Sequence, residues 1–155
     1  MSKTESGAKK AGKALTAVVI LILIAVFAAS RFIGGQTTAL EKYCAAVTSG
    51  SFSQYVKTVS PDDRYTAGSE SDFKAACESG IRGLPQFSEL ETTDNISSKV
   101  KVNEHKMNGS LTEWVCIADI DFFGGGSSIS YENVSVTMNF SGGKWIIIST
   151  EPSVF

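Results

Sequence analysis

The pattern of apolar residues changes along the chain, from an unbroken run near the start to periodic spacing further on. Residues 14–30 carry no charge; Lys13 precedes them, and Arg31, Phe32 and Ile33 follow. As a helix, residues 14–33 cover roughly 30 Å, which matches the hydrocarbon thickness of a bilayer. The run predicts one transmembrane helix, with Arg31 able to extend its charge to the interface.

The charges around this run predict its orientation. Residues 1–13 contain four lysines and one glutamate. The positive-inside rule therefore predicts a cytoplasmic tail at residues 1–13 and an extracytoplasmic position for the rest of the chain. The alternative is a secretory signal peptide, because Ala28, Ala29 and Ser30 are small enough for cleavage. We expect an uncleaved anchor in the cell membrane, since Phe32 and Ile33 lengthen the apolar run; a cleaved chain would be secreted.

Helical spacing of apolar residues begins after a predicted hinge at residues 34–36, within a domain that spans residues 37–155. Thr38 and Glu41 form a T-x-x-E capping box, which predicts a helix start. One face of this helix is apolar, and it consists of Leu40, Tyr43, Cys44 and Val47. Gly50 is expected to end the helix.

Two further helices have similar spacing. The apolar residues of the first are Phe52, Tyr55, Val56 and Val59, and those of the second are Phe73, Cys77, Ile81 and Leu84. Ser69 and Ser71 are alternative N-caps of the second. From Phe87 onwards the pattern is typical of strands, which glycine-containing turns separate.

Two of these turns predict a register. A two-residue turn at Asn108-Gly109 would pair Val102 with Val115 and Val100 with Ile117, and would place His105 on the opposite face. A turn at Gly142-Gly143 would pair Phe140 with Trp145 and Met138 with Ile147. The result is an antiparallel sheet with helices on one face, an α+β architecture.

The charge of the outer domain argues against one class of partner. Residues 36–155 contain nine Lys/Arg and fifteen Asp/Glu, a net charge of −6. Affinity for nucleic acids comes mainly from basic side chains that neutralise phosphates. We therefore expect no nucleic-acid partner.

The order of elements also resembles a known superfamily. The segments ALEKYCAAVTSGSFSQYVKTVSPDD and FSGGKWIIIS resemble the cystatin-like, nuclear-transport-factor-2-like superfamily over about residues 37–150, and membrane-anchored bacterial domains of unknown function look most similar. The resemblance implies three N-terminal helices packed on a curled antiparallel sheet, a cone. It implies no activity, because isomerases, dehydratases, hydrolases, transport factors and secretion-channel subunits share this scaffold.

The sequence predicts no catalytic, cofactor or metal site. His105 is the only histidine, and the predicted register exposes it and points Glu104 and Glu113 to the other face. Asp119 and Asp121 share one strand face and could form an acid/base pair, but solvated carboxylates are the more common reason for this pattern. We therefore expect neither group to be catalytic.

The three cysteines allow two interpretations. Cys44 and Cys77 lie on helix faces predicted to be buried, and in an oxidising compartment they could form a disulfide. Alternatively, both of them and Cys116 are buried small hydrophobic residues. The chain has no C-x-x-C pair, which makes a zinc knuckle or redox centre improbable.

A partner surface is predicted on the sheet. Consecutive residues are apolar in the strands around Trp114 and Ile148, so both sheet faces are expected to be apolar there. Helices can cover only one of them. We expect the face away from the helices, with Trp114, Ile146 and Ile148, to bind a second copy or another protein.

Three functions are compatible with these observations. The first is a membrane-tethered, extracytoplasmic binding or assembly module without catalytic activity, whose anchor contacts lipid. The second is a small-molecule enzyme that uses the interior of the cone, which would need a deep cavity with an ionisable side chain. The third is a subunit of a secretion or conjugation channel. The absence of a convergent catalytic set favours the first.

Overall fold

The computed structural model describes residues 5–59, 69–90 and 95–152, with side chains from residue 16 onwards. The helices are α1 (Glu5–Thr48), α2 (Phe52–Thr58) and α3 (Glu70–Ser79), and the strands are β1 (Ser97–Ser110), β2 (Glu113–Gly124), β3 (Ser127–Ser141) and β4 (Lys144–Glu151). The chain divides into two compact units, Met1–Gly34 and Gly35–Phe155. The architecture is α+β, with helices before strands.

Helix α1 includes the apolar run. Its segment Thr16–Thr48 is long and apolar enough to cross a membrane, a property that it shares with signal sequences. In the first unit the large apolar side chains from Val18 to Phe27 are exposed.

The predicted hinge and capping box are wrong, because residues 34–36 are helical and α1 continues through Thr38. Gly35 allows α1 to pack closely against Trp145. A Cβ at this position would lie 3.0 Å from Trp145 Cδ1, so the missing side chain lets the helix approach the indole ring.

The second unit confirms the predicted apolar face of α1 and part of the faces of α2 and α3, because Val59, Ile81 and Leu84 lie beyond the ends of those helices. Leu40, Tyr43, Cys44 and Val47 are buried, as are Tyr55, Phe73 and Cys77. Aromatic contacts connect the helices: the Tyr55 ring lies 5.9 Å from the Tyr43 ring and 4.4 Å from the Phe73 ring between centroids. Ser69 is the N-cap of α3, and its hydroxyl accepts a hydrogen bond from the Asp72 amide at 3.2 Å.

The four strands form an antiparallel sheet in the order β1-β2-β3-β4. The predicted β3–β4 register is confirmed, since Phe140 pairs with Trp145 and Met138 with Ile147. Beyond β4, an isolated parallel bridge joins Val59 to Ile147. This bridge connects the end of α2 to the edge of the sheet.

The predicted β1–β2 register is wrong. The turn lies at Leu111 and Thr112, and register shifts occur between Val102 and Glu104 and between Met107 and Ser110. A bulge adds one residue to a strand, so residues on either side of it exchange faces relative to a regular strand. Consequently Val102 and His105, which were expected on opposite faces, share one.

The two faces of the sheet differ in burial. On the inner face the buried side chains are Cys116, Ala118, Ile120, Phe122, Val134, Val136, Met138, Trp145 and Ile147. On the outer face Lys99 pairs with Asp121 and Lys101 with Asp119. The inner face is therefore the core of the domain.

The residues of the predicted partner surface do not share a face. Trp114 pairs with Met138, on the inner face, and its ring lies 6.4 Å from that of Trp145. Ile146 pairs with Asn139 on the outer face, and Ile148 lies at a register shift. The expectation assumed a shared face for Trp114 and Ile148 without a predicted register between β2 and β3, and the observed β2–β3 and β3–β4 registers place Trp114 with Trp145 and Ile147 instead.

Candidate functional site

A polar cluster lies on the inner face, between α1 and the sheet. His105 Nδ1 lies 2.5 Å from Gln36 Oε1, and the Cys116 thiol donates to the same oxygen at 3.0 Å. The imidazole and the thiol are themselves 3.6 Å apart, between His105 Nδ1 and Cys116 Sγ. The Met138 thioether is the next neighbour, 4.0 Å from Cys116 Sγ.

Each element contributes one member of the cluster for a local reason. Gln36 directly follows Gly35, the point at which α1 approaches Trp145. The β1–β2 register places His105 opposite Cys116 of β2. Because β2 and β3 are adjacent, Met138 then lies near Cys116 on the same face.

Burial keeps the cluster electrically neutral. It raises the pKa of the Cys116 thiol to about 11 and lowers the pKa of His105. Both directions disfavour a thiolate–imidazolium pair. With a pKa near 11, only about one thiol in ten thousand would be ionised at pH 7, so Cys116 lacks the property of an activated nucleophile.

Gln36 has an unusual hydrogen-bonding deficit. The residue is fully buried, and among the side chains that the structure describes its Nε2 atom is a buried donor without a partner. A half-turn of the amide would exchange the oxygen and the nitrogen, but one of them would still face no partner. Such a group costs roughly 1–3 kcal/mol of stability.

The position of His105 corrects the sequence analysis, which expected an exposed strand end. His105 is half-buried and contacts two partners in the core. The predicted register already placed His105 on the face of Trp114, and this face, which was expected to point away from the helices, is the buried one.

The carboxylates Asp119 and Asp121 lie on the outer face, away from the cluster. Asp119 accepts a hydrogen bond from the Asn133 amide at 3.1 Å, where Asn133 adopts φ 55° beside a bulge in β3. Hydrogen bonds from the Asn103 side chain and the Asn133 backbone lower the pKa of Asp119. This carboxylate stabilises an irregular segment of the sheet.

Of the two interpretations of the cysteines, the structure does not contain the Cys44–Cys77 disulfide. Cys44, Cys77 and Cys116 are all free and buried, which agrees with the alternative of small core residues. Desolvation raises the pKa of Cys44 to about 12 and that of Cys77 to about 11.

Sequence reasoning missed Gln36, which it assigned to the hinge. A signal for it was present: Gln36 precedes Leu40 by four residues and Tyr43 by seven, so it continues the apolar face of α1. A polar residue at such a position enters the core together with its neighbours. No comparable signal showed that the helices cover the sheet face on which His105 lies.

Comparisons with known proteins address the fold alone. No protein-family model matches the chain, and no curated protein matches it. Among eleven similar chains of solved structures is an NTF-2-like protein of unknown function from Shewanella oneidensis MR-1, with a TM-score of 0.51 and 14% identity, over 76% of this chain and 95% of that one. The chain has an NTF2-like fold.

The predicted superfamily resemblance is thus confirmed for the fold. An NTF2-like domain accounts for the order of helices before a curled sheet and for the burial of the inner face. It assigns no role to the Gln36–His105–Cys116 cluster, because this scaffold supports unrelated functions.

Proposed function

We propose that this protein is a membrane-tethered binding module, whose NTF2-like domain lies outside the cytoplasm and holds a ligand at the Gln36–His105–Cys116 cluster. The buried and unpartnered Gln36 amide carries this proposal. Buried polar groups nearly always have a hydrogen-bond partner. A ligand that accepts a hydrogen bond from Gln36 Nε2, or that creates an acceptor beside it on binding, would supply the missing one.

Binding without catalysis fits the chemistry of the cluster better than an enzyme does. The imidazole and the thiol are both shifted towards their neutral forms by burial, whereas acid/base or nucleophilic catalysis needs a group poised to ionise near neutral pH. Asp119 and Asp121, the carboxylates considered from the sequence, occupy the other face of the sheet.

The membrane tether rests on the exposed apolar part of α1 and on the lysines that precede it. Protease added to intact cells is expected to digest the NTF2-like domain and to spare residues 1–13. Protection of the domain until the membrane is permeabilised would contradict the proposed orientation.

The ligand site can be tested on the full chain purified from membranes in mild detergent. Native mass spectrometry is expected to detect a bound species on the wild type that Gln36→Leu loses and that Gln54→Leu, an exposed control on α2, retains. Equal amounts of the species on wild type and Gln36→Leu, or none on either, would mean that the amide is only an unsatisfied core group.

A further inference from the structure

The donor atoms beside Gln36 have a composition that the proposed function does not explain. The Cys116 thiol has an imidazole and a thioether, from His105 and Met138, as neighbours on the inner face. Thiolate and thioether sulfur are soft ligands that select Cu(I), and imidazole also suits copper. Carboxylate oxygen, the ligand of hard cations, is missing from this set.

The distances from Cys116 to the other two donors are those of atoms bound to one ion. With bonds of about 2.3 Å to sulfur and about 2.0 Å to nitrogen, two ligands at a tetrahedral angle lie roughly 3.5–3.8 Å apart. The distance from Cys116 Sγ to His105 Nδ1 is 3.6 Å. The distance from Cys116 Sγ to Met138 Sδ is 4.0 Å, which fits a longer thioether bond.

We infer that Cys116, His105 and Met138 form a binding site for one Cu(I) ion, an inference that rests on the proposed function and names its ligand. Zinc is the less suitable ion, because its structural sites take four Cys, His or carboxylate ligands. The described part of the chain contains no group of three such residues that could hold a metal.

Burial supports the assignment. Cys116 and Met138 are fully buried, while His105 is half-buried, so the imidazole offers a route for the ion into a site without bulk water. Metal ligands are commonly oriented by hydrogen bonds from neighbouring residues. Once the ion replaces the hydrogen on His105 Nδ1, the Gln36 amide can rotate and donate Nε2–H to the Cys116 sulfur.

The binding step involves no change of oxidation state. Cys116 releases its thiol proton to solvent as the sulfur–copper bond forms. His105 remains neutral, because its single N–H moves from Nδ1 to Nε2 and the freed Nδ1 lone pair binds the ion. Met138 contributes a thioether lone pair, so one proton is released for each Cu(I) bound.

The test is a titration of the full chain in detergent with Cu(I), kept reduced by ascorbate under argon, in competition with the chromophoric chelator bathocuproine disulfonate. The wild type is expected to bind one equivalent. Cys116→Ser should abolish binding, and His105→Asn and Met138→Leu should each weaken it at least about tenfold. Cys77→Ser, which removes a buried thiol on α3, is the matched control and should bind as the wild type does.

X-ray absorption of the loaded protein provides an independent measurement, and sulfur and nitrogen neighbours of copper are expected. If Cys116→Ser does not fold, the decision rests on Met138→Leu, which conserves volume, and on His105→Asn. A folded wild type that binds no Cu(I), or binding that all three ligand variants retain, would overturn the site. If the chain binds no Cu(I) while native mass spectrometry shows another bound species that depends on Gln36, only the copper inference is wrong.

Discussion

Replacing Gln36 with leucine separates stability from binding, because the two should change in opposite directions. The substitution removes a buried donor without a partner. This removal should raise the free energy of unfolding by about 1–3 kcal/mol. It also removes an acceptor for His105 and Cys116. Loss of the His105 hydrogen bond should lower the free energy of unfolding by about 0.5–1.5 kcal/mol, since water can reach the half-buried imidazole. Loss of the Cys116 hydrogen bond adds little, because a thiol is a weak donor. Leucine and glutamine have similar helix propensities.

The expected net effect is a stabilisation of about 1 kcal/mol. Chemical denaturation of the full chain in detergent, followed by tryptophan fluorescence, measures it, because Trp114 and Trp145 both lie on the inner face. Gln54→Leu, at an exposed site on α2, should change stability by less than about 0.5 kcal/mol. A loss of more than about 1 kcal/mol in Gln36→Leu would refute the reasoning, since the amide would then contribute more through its hydrogen bonds than its unpaired nitrogen costs.

Three further outcomes follow from the described contacts. Ser69→Ala should destabilise the domain by about 1 kcal/mol in denaturant titrations, because it removes the N-cap of α3; an effect equal to that of Ser71→Ala would contradict this. Because the pKa of Asp119 is lowered in the folded protein, the carboxylate contributes stability above its unfolded pKa of about 3.9. That stability is lost as the pH falls through the folded pKa. Thermal melts of the wild type and Asp119→Asn should therefore differ at neutral pH and converge in acid. A difference that does not change with pH would show that ionised Asp119 does not contribute this stability. Finally, the native thiols should resist iodoacetamide until the chain is denatured, because burial raises the pKa of Cys44, Cys77 and Cys116 to about 12, 11 and 11; rapid native alkylation at Cys116 would show that its thiol is accessible.

The two hairpins show which parts of the fold the sequence predicts and why. At Gly142-Gly143 both glycines have positive φ, 58° and 79°, as a two-residue turn requires, and the predicted register is confirmed. At Asn108-Gly109 the glycine also has a positive φ, 75°, but it lies at a register shift within β1, and the chain turns at Leu111. The same local signal therefore serves a turn in one place and a bulge in another.

The candidate site depends on a feature of the fold that the sequence does not predict. Which sheet face the helices cover decides whether His105 faces solvent or Gln36. The sequence of β2 leaves this choice open, because residues 114–118 are apolar on both faces of the strand. Helix faces, in contrast, follow from a period that local sequence already contains, which is why Leu40 and Phe73 were predicted to be buried and are.

The corrected register also changes where a protein partner could bind. On the outer face the apolar side chains Val115, Ile117 and Ile146 are half-buried, and they pair with Thr137, Ser135 and Asn139. Each apolar residue is therefore next to a polar one, and the Lys–Asp pairs of β1 and β2 continue the face. A sheet face of this composition is typical of one that contacts water, whereas a homodimer interface needs a contiguous apolar patch. Trp114, the residue on which the predicted interface was centred, packs against Trp145 inside the domain, so its replacement would test the core and not an association.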